Sequence, residues 1–459
     1  MANTTLSSVL GGITVHLPVS SDPSNTVAQA ALDSLTSKVS SGSLNISAYN
    51  PLATIQGSTV QGTVPTAVVV QPLATIAGTT PALAQITLSG NNTEVVNTDT
   101  SGGTVAIISS TVSSTLIAGG GSNNVYINRS TMASVLLTGG NSYIANNDST
   151  GTTNTTLTGG QSLGDGRAYI DASVGAANVT VGNNGLINAN QGSTGSVNIV
   201  AQQGTVVVAI SQPMGGSSTV AATVAGATVA GSRLIYIQNG GNAFINPNAS
   251  DVVVLAGSNT GSETVAGGSG SETVFGGRGM FTGGLAGGNV LLGSTVNGVT
   301  TLIGAGKSDT LIAQAGGDVL RAGSGTDVLA AIVNSTVTVG NTFITGSGVA
   351  TVLGGITGNN TIGFGSGSAL AYGQHGTVAA SLVGNTYNLY AAAGSDTIGD
   401  FVVGKDVFKI STGYVGGATP AVTVAGSTVG GANLVVTLSD KTQITFVNGS
   451  TFSTTSIFS

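Results

Sequence analysis

The sequence predicts an all-β protein, a parallel β-solenoid with coils of about 20 residues. The first observation is a spacing: the glycine pairs Gly119-Gly120, Gly139-Gly140 and Gly159-Gly160 recur at intervals of 20 residues. The second is that short apolar runs flank these pairs, for example residues 115–118 and 125–128. The third is composition, because 73 glycines and only 6% charged residues suit short stacked strands joined by many turns.

Stacking is what would give such a chain a core. One coil has too little apolar surface to fold alone, so neighbouring coils bury the inward Leu, Ile and Val side chains, with glycine at the corners where the backbone bends. Disorder is the first alternative, but it conflicts with 40% hydrophobic residues and a net charge of only −7. A β-propeller or tandem sandwiches would need repeats of about 40 residues or more and richer aromatic cores.

Four segments follow from the pattern along the chain. Residues 1–50 are predicted to form an N-terminal cap containing a weakly amphipathic helix near residues 26–35, because an open solenoid end needs covering. Residues 51–256 form the solenoid with 20- to 21-residue coils. Residues 257–400 continue it as a degenerate β-roll, and residues 401–459 form a C-terminal β cap.

The C-terminal cap is expected to contain a β-hairpin. Two runs of alternating apolar residues, 433–438 and 443–447, are separated by a short polar turn.

A nine-residue repeat marks the degenerate segment, residues 257–400. Asp309, Asp318 and Asp327 lie nine residues apart in glycine-rich turns, and each is followed two residues later by Leu. This repeat is close to the pattern G-G-x-G-x-D-x-U-x of calcium-binding parallel β-rolls. With residues 393–408, which are similar to the closing segment D-x-I-x-x-F-x-x-G-x-D, it makes residues 257–459 resemble the RTX (repeat-in-toxin) family of secreted bacterial proteins.

The resemblance implies calcium, and the spacing suggests where it would bind. In a nine-residue repeat, residues 18 apart lie on the same edge of neighbouring coils, which is the relation between Asp309 and Asp327. Their carboxylates, with backbone carbonyls from the turns around Gly306 and Gly325, would supply the oxygen shell that Ca²⁺ prefers.

Asp318 is predicted to lie on the other edge of the coils, where the residues 18 positions away are Thr300 and Thr336, and to offer a weaker metal site. A second interpretation of all three aspartates is that they are Asx-turn residues, whose side chains bond to neighbouring backbone without a metal.

The last residues are similar to the uncleaved C-terminal signals of type I secretion substrates, through Thr454, Thr455, Ile457 and Phe458. The first thirty residues contain no apolar stretch typical of a cleaved export signal. By resemblance, the chain would leave a bacterial cell unfolded through the type I secretion machinery and fold outside, where calcium supplies part of the folding free energy.

Composition argues against several functional classes. Cysteine is absent and the two histidines, His16 and His375, are far apart in sequence, so thiol, zinc or histidine-based catalysis is not expected. Ten basic residues are spread thinly along an acidic chain, which does not favour nucleic acid. No apolar stretch is long enough for a membrane-spanning helix.

One group of residues is a weak candidate for a glycan site. Successive coils could bring together Arg129, Asp165, Arg167 and Asp171. A solvated patch with surface ion pairs of little energetic value explains the same residues.

The sequence therefore favours a non-enzymatic extracellular structural protein that assembles with itself into a surface layer, filament or biofilm matrix. A nearly uncharged solenoid lacks the charges that usually prevent lateral pairing. The alternative is an adhesin or a carbohydrate-binding or polysaccharide-modifying module, with cell-surface polysaccharide as partner. The absence of Trp weakens this alternative.

Overall fold

The computed structural model describes the backbone of the strands given below. It describes side chains in residues 198–210, 222–238, 242–256, 261–295, 300–332, 339–356, 358–375, 383–390, 394–410 and 426–458, and at Asp33, Ser37, Ser40 and Ser41. The chain divides into two compact units, Met1–Ala243 and Phe244–Ser459. Each unit contains two parallel sheets, in which odd-numbered and even-numbered strands alternate along the chain.

The N-terminal unit begins with a separate antiparallel hairpin, β1 (Thr4–Leu10) and β2 (Ile13–Val19). Asp33, Ser37 and Ser40 are helical, and the rest of the predicted helical cap lies outside the described residues. The odd sheet begins at β3, whose first residue lies six residues before the predicted boundary at residue 51. Its strands are β3 (Asn45–Tyr49), β5 (Thr66–Val70), β7 (Thr93–Asn97), β9 (Ser113–Ala118), β11 (Met132–Leu137), β13 (Asn154–Gly159), β15 (Ala176–Val181), β17 (Val197–Ala201) and β19 (Ala221–Ala225).

The even sheet of this unit pairs in the same parallel manner, strand n with strand n+2. Its strands are β4 (Ile55–Gly62), β6 (Leu83–Gly90), β8 (Thr104–Ser109), β10 (Asn123–Asn128), β12 (Ser142–Asn146), β14 (Ala168–Ala172), β16 (Gly185–Asn190), β18 (Thr205–Ser211) and β20 (Arg233–Asn239). The boundary between the units falls within β21 (Asn242–Asn246).

The C-terminal unit repeats this architecture. Its odd sheet contains β23 (Glu263–Val265), β25 (Gly279–Thr282), β27 (Thr300–Ile303), β29 (Val319–Arg321), β31 (Thr342–Ile344), β33 (Thr361–Phe364), β35 (Thr386–Ala391) and β37 (Val407–Val415). Its even sheet contains β22 (Asp251–Ala256), β24 (Glu272–Phe275), β26 (Val290–Leu292), β28 (Thr310–Ala313), β30 (Thr326–Ala331), β32 (Val349–Leu353), β34 (Ser368–Tyr372) and β36 (Ser395–Ile398). The sheet ends in the antiparallel strands β38 (Val424–Gly430), β39 (Asn433–Leu438) and β40 (Gln443–Phe446).

The predicted fold class is confirmed: the chain is almost entirely β, it forms a parallel solenoid, and the predicted hairpin is β39–β40. Side chains alternate between the core and the outer face along each strand, as in β39, where Leu434, Val436 and Leu438 are buried. Coil length varies more than predicted. The coils of the C-terminal unit range in length from 16 to 27 residues, because extra residues enter the turns while the strands stay in register.

Aromatic side chains fill the last coils of the C-terminal unit. The ring of Phe401 lies 5.2 Å from that of Phe446 and 5.8 Å from that of Tyr387. A short helix, α1 (Thr454–Ile457), closes the chain, with Ser453 as its N-cap in a capping box. Among the described residues no helix has the length and hydropathy to cross a lipid bilayer.

Candidate functional site

Two columns of buried polar residues run through the C-terminal unit, one at the start of the strands of each sheet. The odd ladder consists of Thr300, Asp318, Asn341, Asn360, Asn385 and Asp406. The even ladder consists of Glu272, Asn289, Asp309, Asp327 and Asp396, with Ala350 and Ala369 between the last two. The predicted metal residues Asp309, Asp318 and Asp327 are therefore all ladder residues.

The odd ladder is a continuous series of hydrogen bonds between coils. From Asp318 onward, the side-chain Oδ1 of each residue accepts the backbone N–H of its counterpart in the preceding coil. The N···O distances are 2.9 Å from Thr300 to Asp318, 2.9 Å from Asp318 to Asn341, 2.9 Å from Asn341 to Asn360, 3.0 Å from Asn360 to Asn385 and 2.6 Å from Asn385 to Asp406. The ladder satisfies a backbone donor in each coil that the strand ladder leaves free.

The even ladder uses the same bond in its first part. The backbone N–H groups of Glu272, Asn289 and Asp309 donate to Oδ1 of Asn289, Asp309 and Asp327, at 2.8, 3.1 and 2.9 Å. Ala350 and Ala369 then interrupt the column, and Asp396 restores it by accepting the N–H of Ala369 at 2.9 Å. The register places Asp309 and Asp327 in neighbouring coils, as the 18-residue spacing predicted.

The second oxygens of Asp309 and Asp327 bond within their own turns. Oδ2 of Asp309 accepts the N–H of Ala305 at 3.0 Å, and Oδ2 of Asp327 accepts the N–H of Gly323 at 2.9 Å. An Asx turn would instead bond to the backbone two residues on, whereas these bonds tie each aspartate to the turn that precedes it. Both aspartates thus serve the backbone. Oδ1 of Asp309 also accepts the side-chain N–H of Asn289 at 2.6 Å, so further lone pairs remain only on Oδ2 of Asp309 and on the two oxygens of Asp327.

Glycine allows the turns of successive coils to approach closely. A Cβ on Gly325 would collide with the carbonyl group of Lys307, which accepts the N–H of Thr326 at 2.6 Å. A Cβ on Gly306 would lie 2.7 Å from the carbonyl oxygen of Leu285. These two predicted ligand-turn residues therefore have a steric role in stacking.

Asp318 lies in the other ladder, as predicted, but one of its neighbours differs from the prediction. Thr300 precedes it in register, whereas the next coil presents Asn341 and not Thr336, because 23 residues separate Asp318 from its partner there. Residue 336 lies outside the described residues. Oδ2 of Asp318 is buried without a hydrogen-bond partner.

Burial raises the pKa values of several ladder carboxyls. The pKa of Glu272 rises to about 7, chiefly through desolvation, and the charges of Asp251 and Asp309 raise it further. Desolvation likewise raises the pKa of Asp318 to about 6 and that of Asp327 above its usual value, with the charge of Asp309 adding to the latter. Oε2 of Glu272 and Oδ2 of Asp396 have no hydrogen-bond partner. The even ladder thus contains stacked, desolvated groups of like charge.

The donor set of the even ladder matches a hard divalent cation in chemical type. It offers the stacked carboxylates of Asp309 and Asp327 and an orphaned buried oxygen on Glu272, and a cation would relieve the repulsion between them. Within the described part of the chain, however, no group of three or more His, Cys, Asp or Glu residues converges on one point. Any cation would need backbone carbonyls for most of its shell.

The predicted secretion-signal residues form part of the folded C-terminal unit. Thr454, Thr455 and Ile457 form α1, in which Ile457 is fully buried. The ring of Phe458 packs 5.4 Å from that of Phe408.

The predicted glycan residues lie mostly outside the described part of the chain. Arg129, Asp165 and Arg167 are not described. Asp171 is described only through the backbone of β14, where it pairs with Ala145 and Asn188.

Sequence reasoning missed the odd ladder. Its signal was present: Asn341, Asn360 and Asn385 are each followed by Thr and then by a buried Phe, Ile or Tyr. The nine-residue pattern paired only Asp318 with Thr300 and placed Asn360 near an aspartate position, because the asparagines occur at longer and unequal spacing.

No protein-family model, no curated protein and no solved structure matches the chain. The resemblance to the RTX family therefore rests on the motifs quoted above, and the parallel solenoid is consistent with it.

Proposed function

We propose that the chain is a non-enzymatic extracellular structural protein whose copies associate laterally into a surface layer, filament or matrix. The observation that carries this proposal is the outer face of the even sheet in the C-terminal unit. Two columns of outward residues cross its strands without one charged side chain. They are Val253, Thr273, Val290, Thr310, Val328, Thr351, Leu370 and Thr397, and Leu255, Phe275, Leu292, Ile312, Ala330, Leu353 and Tyr372.

Several of these side chains are well exposed: Leu255 is 39%, Phe275 is 43% and Leu370 is 37% accessible. A contiguous apolar patch over seven strands is typical of an interaction surface, since soluble monomers rarely leave one open. Soluble sheets usually carry Lys or Glu at such positions to prevent association. We call this surface the even face.

Electron microscopy of negatively stained protein tests the assembly. We expect the wild type to form ordered arrays or filaments, and L255K/F275K/L370K to remain monomeric, because three charges on the even face must be desolvated on contact. Met280→Lys, at an exposed position on the opposite sheet, is the control and should still assemble. A monomeric wild type would refute self-assembly, and arrays of the triple variant would refute the even face as the contact.

Calcium is proposed to stabilise the C-terminal unit through Asp309 and Asp327. The support is the stacked pair of carboxylates and their mutual repulsion. A ligand that binds only the folded state stabilises it by about 2.7 kcal/mol at one hundred times its Kd. Ile457, a residue of the predicted secretion signal, is buried in the folded unit, which favours export of the unfolded chain. Calcium would then drive folding outside the cell.

Thermal unfolding with calcium or a chelator tests this proposal. We expect calcium to raise the Tm of the wild type and not that of D309N/D327N, whose amide oxygens can keep the ladder bonds while both charges and the turn bonds of Oδ2 are lost. Asp440→Asn, at an exposed acid, should respond like the wild type. An equal calcium shift in the double variant would place the ion elsewhere.

A further inference from the structure

The C-terminal unit has a surface charge opposite in sign to the charge of its sequence. It contains ten acidic residues, of which seven are buried: Glu263, Glu272, Asp309, Asp318, Asp327, Asp396 and Asp406. Its six basic residues are all exposed: Arg278, Lys307, Arg321, Lys405, Lys409 and Lys441. The surface of this unit is therefore cationic, because the ladders draw its carboxylates into the core.

Four of the six cations lie on one side. Arg321 and Lys409 point outward from β29 and β37 in one column of the odd sheet, four coils or about 19 Å apart. Arg278 and Lys405 each directly precede the ladder position of their strand, four residues before the column of Arg321 and Lys409.

Exposed acids lie on the other sheet of this unit. Asp251 begins β22, and Asp440 occupies the turn between β39 and β40. Asp400, which is half-buried in the turn before β37, accepts hydrogen bonds from the N–H groups of Gly373 and Gln374 and from the hydroxyl of Tyr387. The outer side of the odd sheet thus attracts anions.

The same face carries hydroxyl groups and an aromatic ring. The neighbouring outward column contains Thr264, Thr301, Thr342, Thr361 and Thr386, with Met280 between the first and second threonines and Val319 between the second and third. Between Arg321 and Lys409, the ring of Tyr390 lies over Gly363, where it occupies the space that a side chain would take. Asn388 donates to the hydroxyl of Tyr390 at 3.4 Å. We call this surface, with its four cations, the odd face.

We infer that the odd face binds a linear acidic polysaccharide lying along the stack of coils. Arg321 and Lys409 pair with carboxylate, sulfate or phosphate groups of the polymer, and Arg278 and Lys405 add attraction at the rim. The threonine column and Asn388 offer hydrogen bonds to sugar hydroxyls, and the Tyr390 ring offers a flat apolar surface for a sugar ring. This binding is independent of the proposed self-assembly, which uses the opposite face.

Calorimetric titration of the full chain with a galacturonic acid oligosaccharide tests the inference. At low salt we expect binding that weakens as salt rises, and R321Q/K409Q should bind about tenfold more weakly, a loss of about 1.4 kcal/mol. The matched control K307Q/K441Q removes the same charge from exposed positions outside the odd face and should change the affinity less than twofold. Tyr390→Ala should weaken binding even at high salt.

Three results would overturn the inference. Equal losses in the two double variants would mean that only net charge matters. Equal binding of a neutral dextran would remove the role of the cations. Tighter binding to duplex DNA or to vesicles of anionic lipid, unaffected by Tyr390→Ala, would assign the face to another polyanion.

Discussion

The two ladders of the C-terminal unit make the same hydrogen bond, but the side chains that accept it differ in charge. From Asp318 to Asp406 the odd ladder passes through three asparagines, and its bonds continue unbroken from Thr300. The even ladder places Glu272, Asp309 and Asp327 close together around one asparagine and is then interrupted by Ala350 and Ala369.

This difference separates two ways of stacking coils. An asparagine accepts the backbone N–H of the coil before it at any pH and without a counterion. A buried carboxylate makes the same bond more strongly, but its charge must be neutralised by a proton or a cation. At its three asparagines the odd ladder therefore holds the coils together at any pH, and only Asp318 and Asp406 add a pH dependence there. The even ladder, whose acceptors are mostly carboxylates, makes stability depend on pH and, by our proposal, on calcium.

Removing an asparagine from the odd ladder should have the largest effect on stability. Asn360→Ala removes the acceptor for the buried N–H of Asn341 and the donor to the carbonyl of Gly373, at 2.9 Å in both cases. Two buried groups without partners cost about 3 kcal/mol together. We expect a matching fall in the free energy of unfolding measured with urea.

The control for this variant is Thr361→Ala, the next residue, whose side chain faces outward. It should change the stability by less than about 0.5 kcal/mol. If both substitutions had the same small effect, the ladder would not hold the coils together.

Removing a carboxylate from the even ladder should change how the free energy of unfolding depends on pH. The pKa of Glu272 in the folded chain, about 7, is above its ordinary value, so its contribution favours folding at low pH and is lost as the pH rises through 7. Glu272→Gln cannot ionise. We expect the fall in unfolding free energy between pH 5 and pH 8 to shrink by about 2 kcal/mol in this variant.

Asp440→Asn serves as the control because Asp440 is exposed in the turn between β39 and β40. Its pH profile should coincide with that of the wild type. A Glu272→Gln profile as steep as the wild-type profile would show that other groups cause the pH dependence.

The contrast between the ladders also explains what could be read from the sequence. The coil fold followed from the spacing of the glycine pairs, and the stacking of Asp309 on Asp327 followed from their 18-residue separation, which the register preserves. The odd ladder did not follow, because insertions change its spacing to 23, 19, 25 and 21 residues. Outward positions such as Arg321 and Lys409 are four coils apart, and only the register shows that they share a column.

The smallest expected effect lies at the first residue of the odd ladder. Thr300→Val preserves shape and removes a hydroxyl whose own hydrogen bonds, to the carbonyl of Gly277 and from the N–H of Ser294, are long at 3.4 and 3.5 Å. That hydroxyl also helps to lower the pKa of Asp318, which burial raises to about 6. Its removal should raise this pKa further.

A carboxyl with a raised folded pKa stabilises the fold at low pH and loses that contribution as the pH rises, so Thr300→Val should cost little at pH 4.5 and about 1 kcal/mol at pH 8. Urea unfolding at the two pH values measures the difference. A cost that is equal at both would mean that the hydroxyl acts only through its own long hydrogen bonds. In that case the pH dependence of the odd ladder would arise from Asp318 and its backbone partner alone.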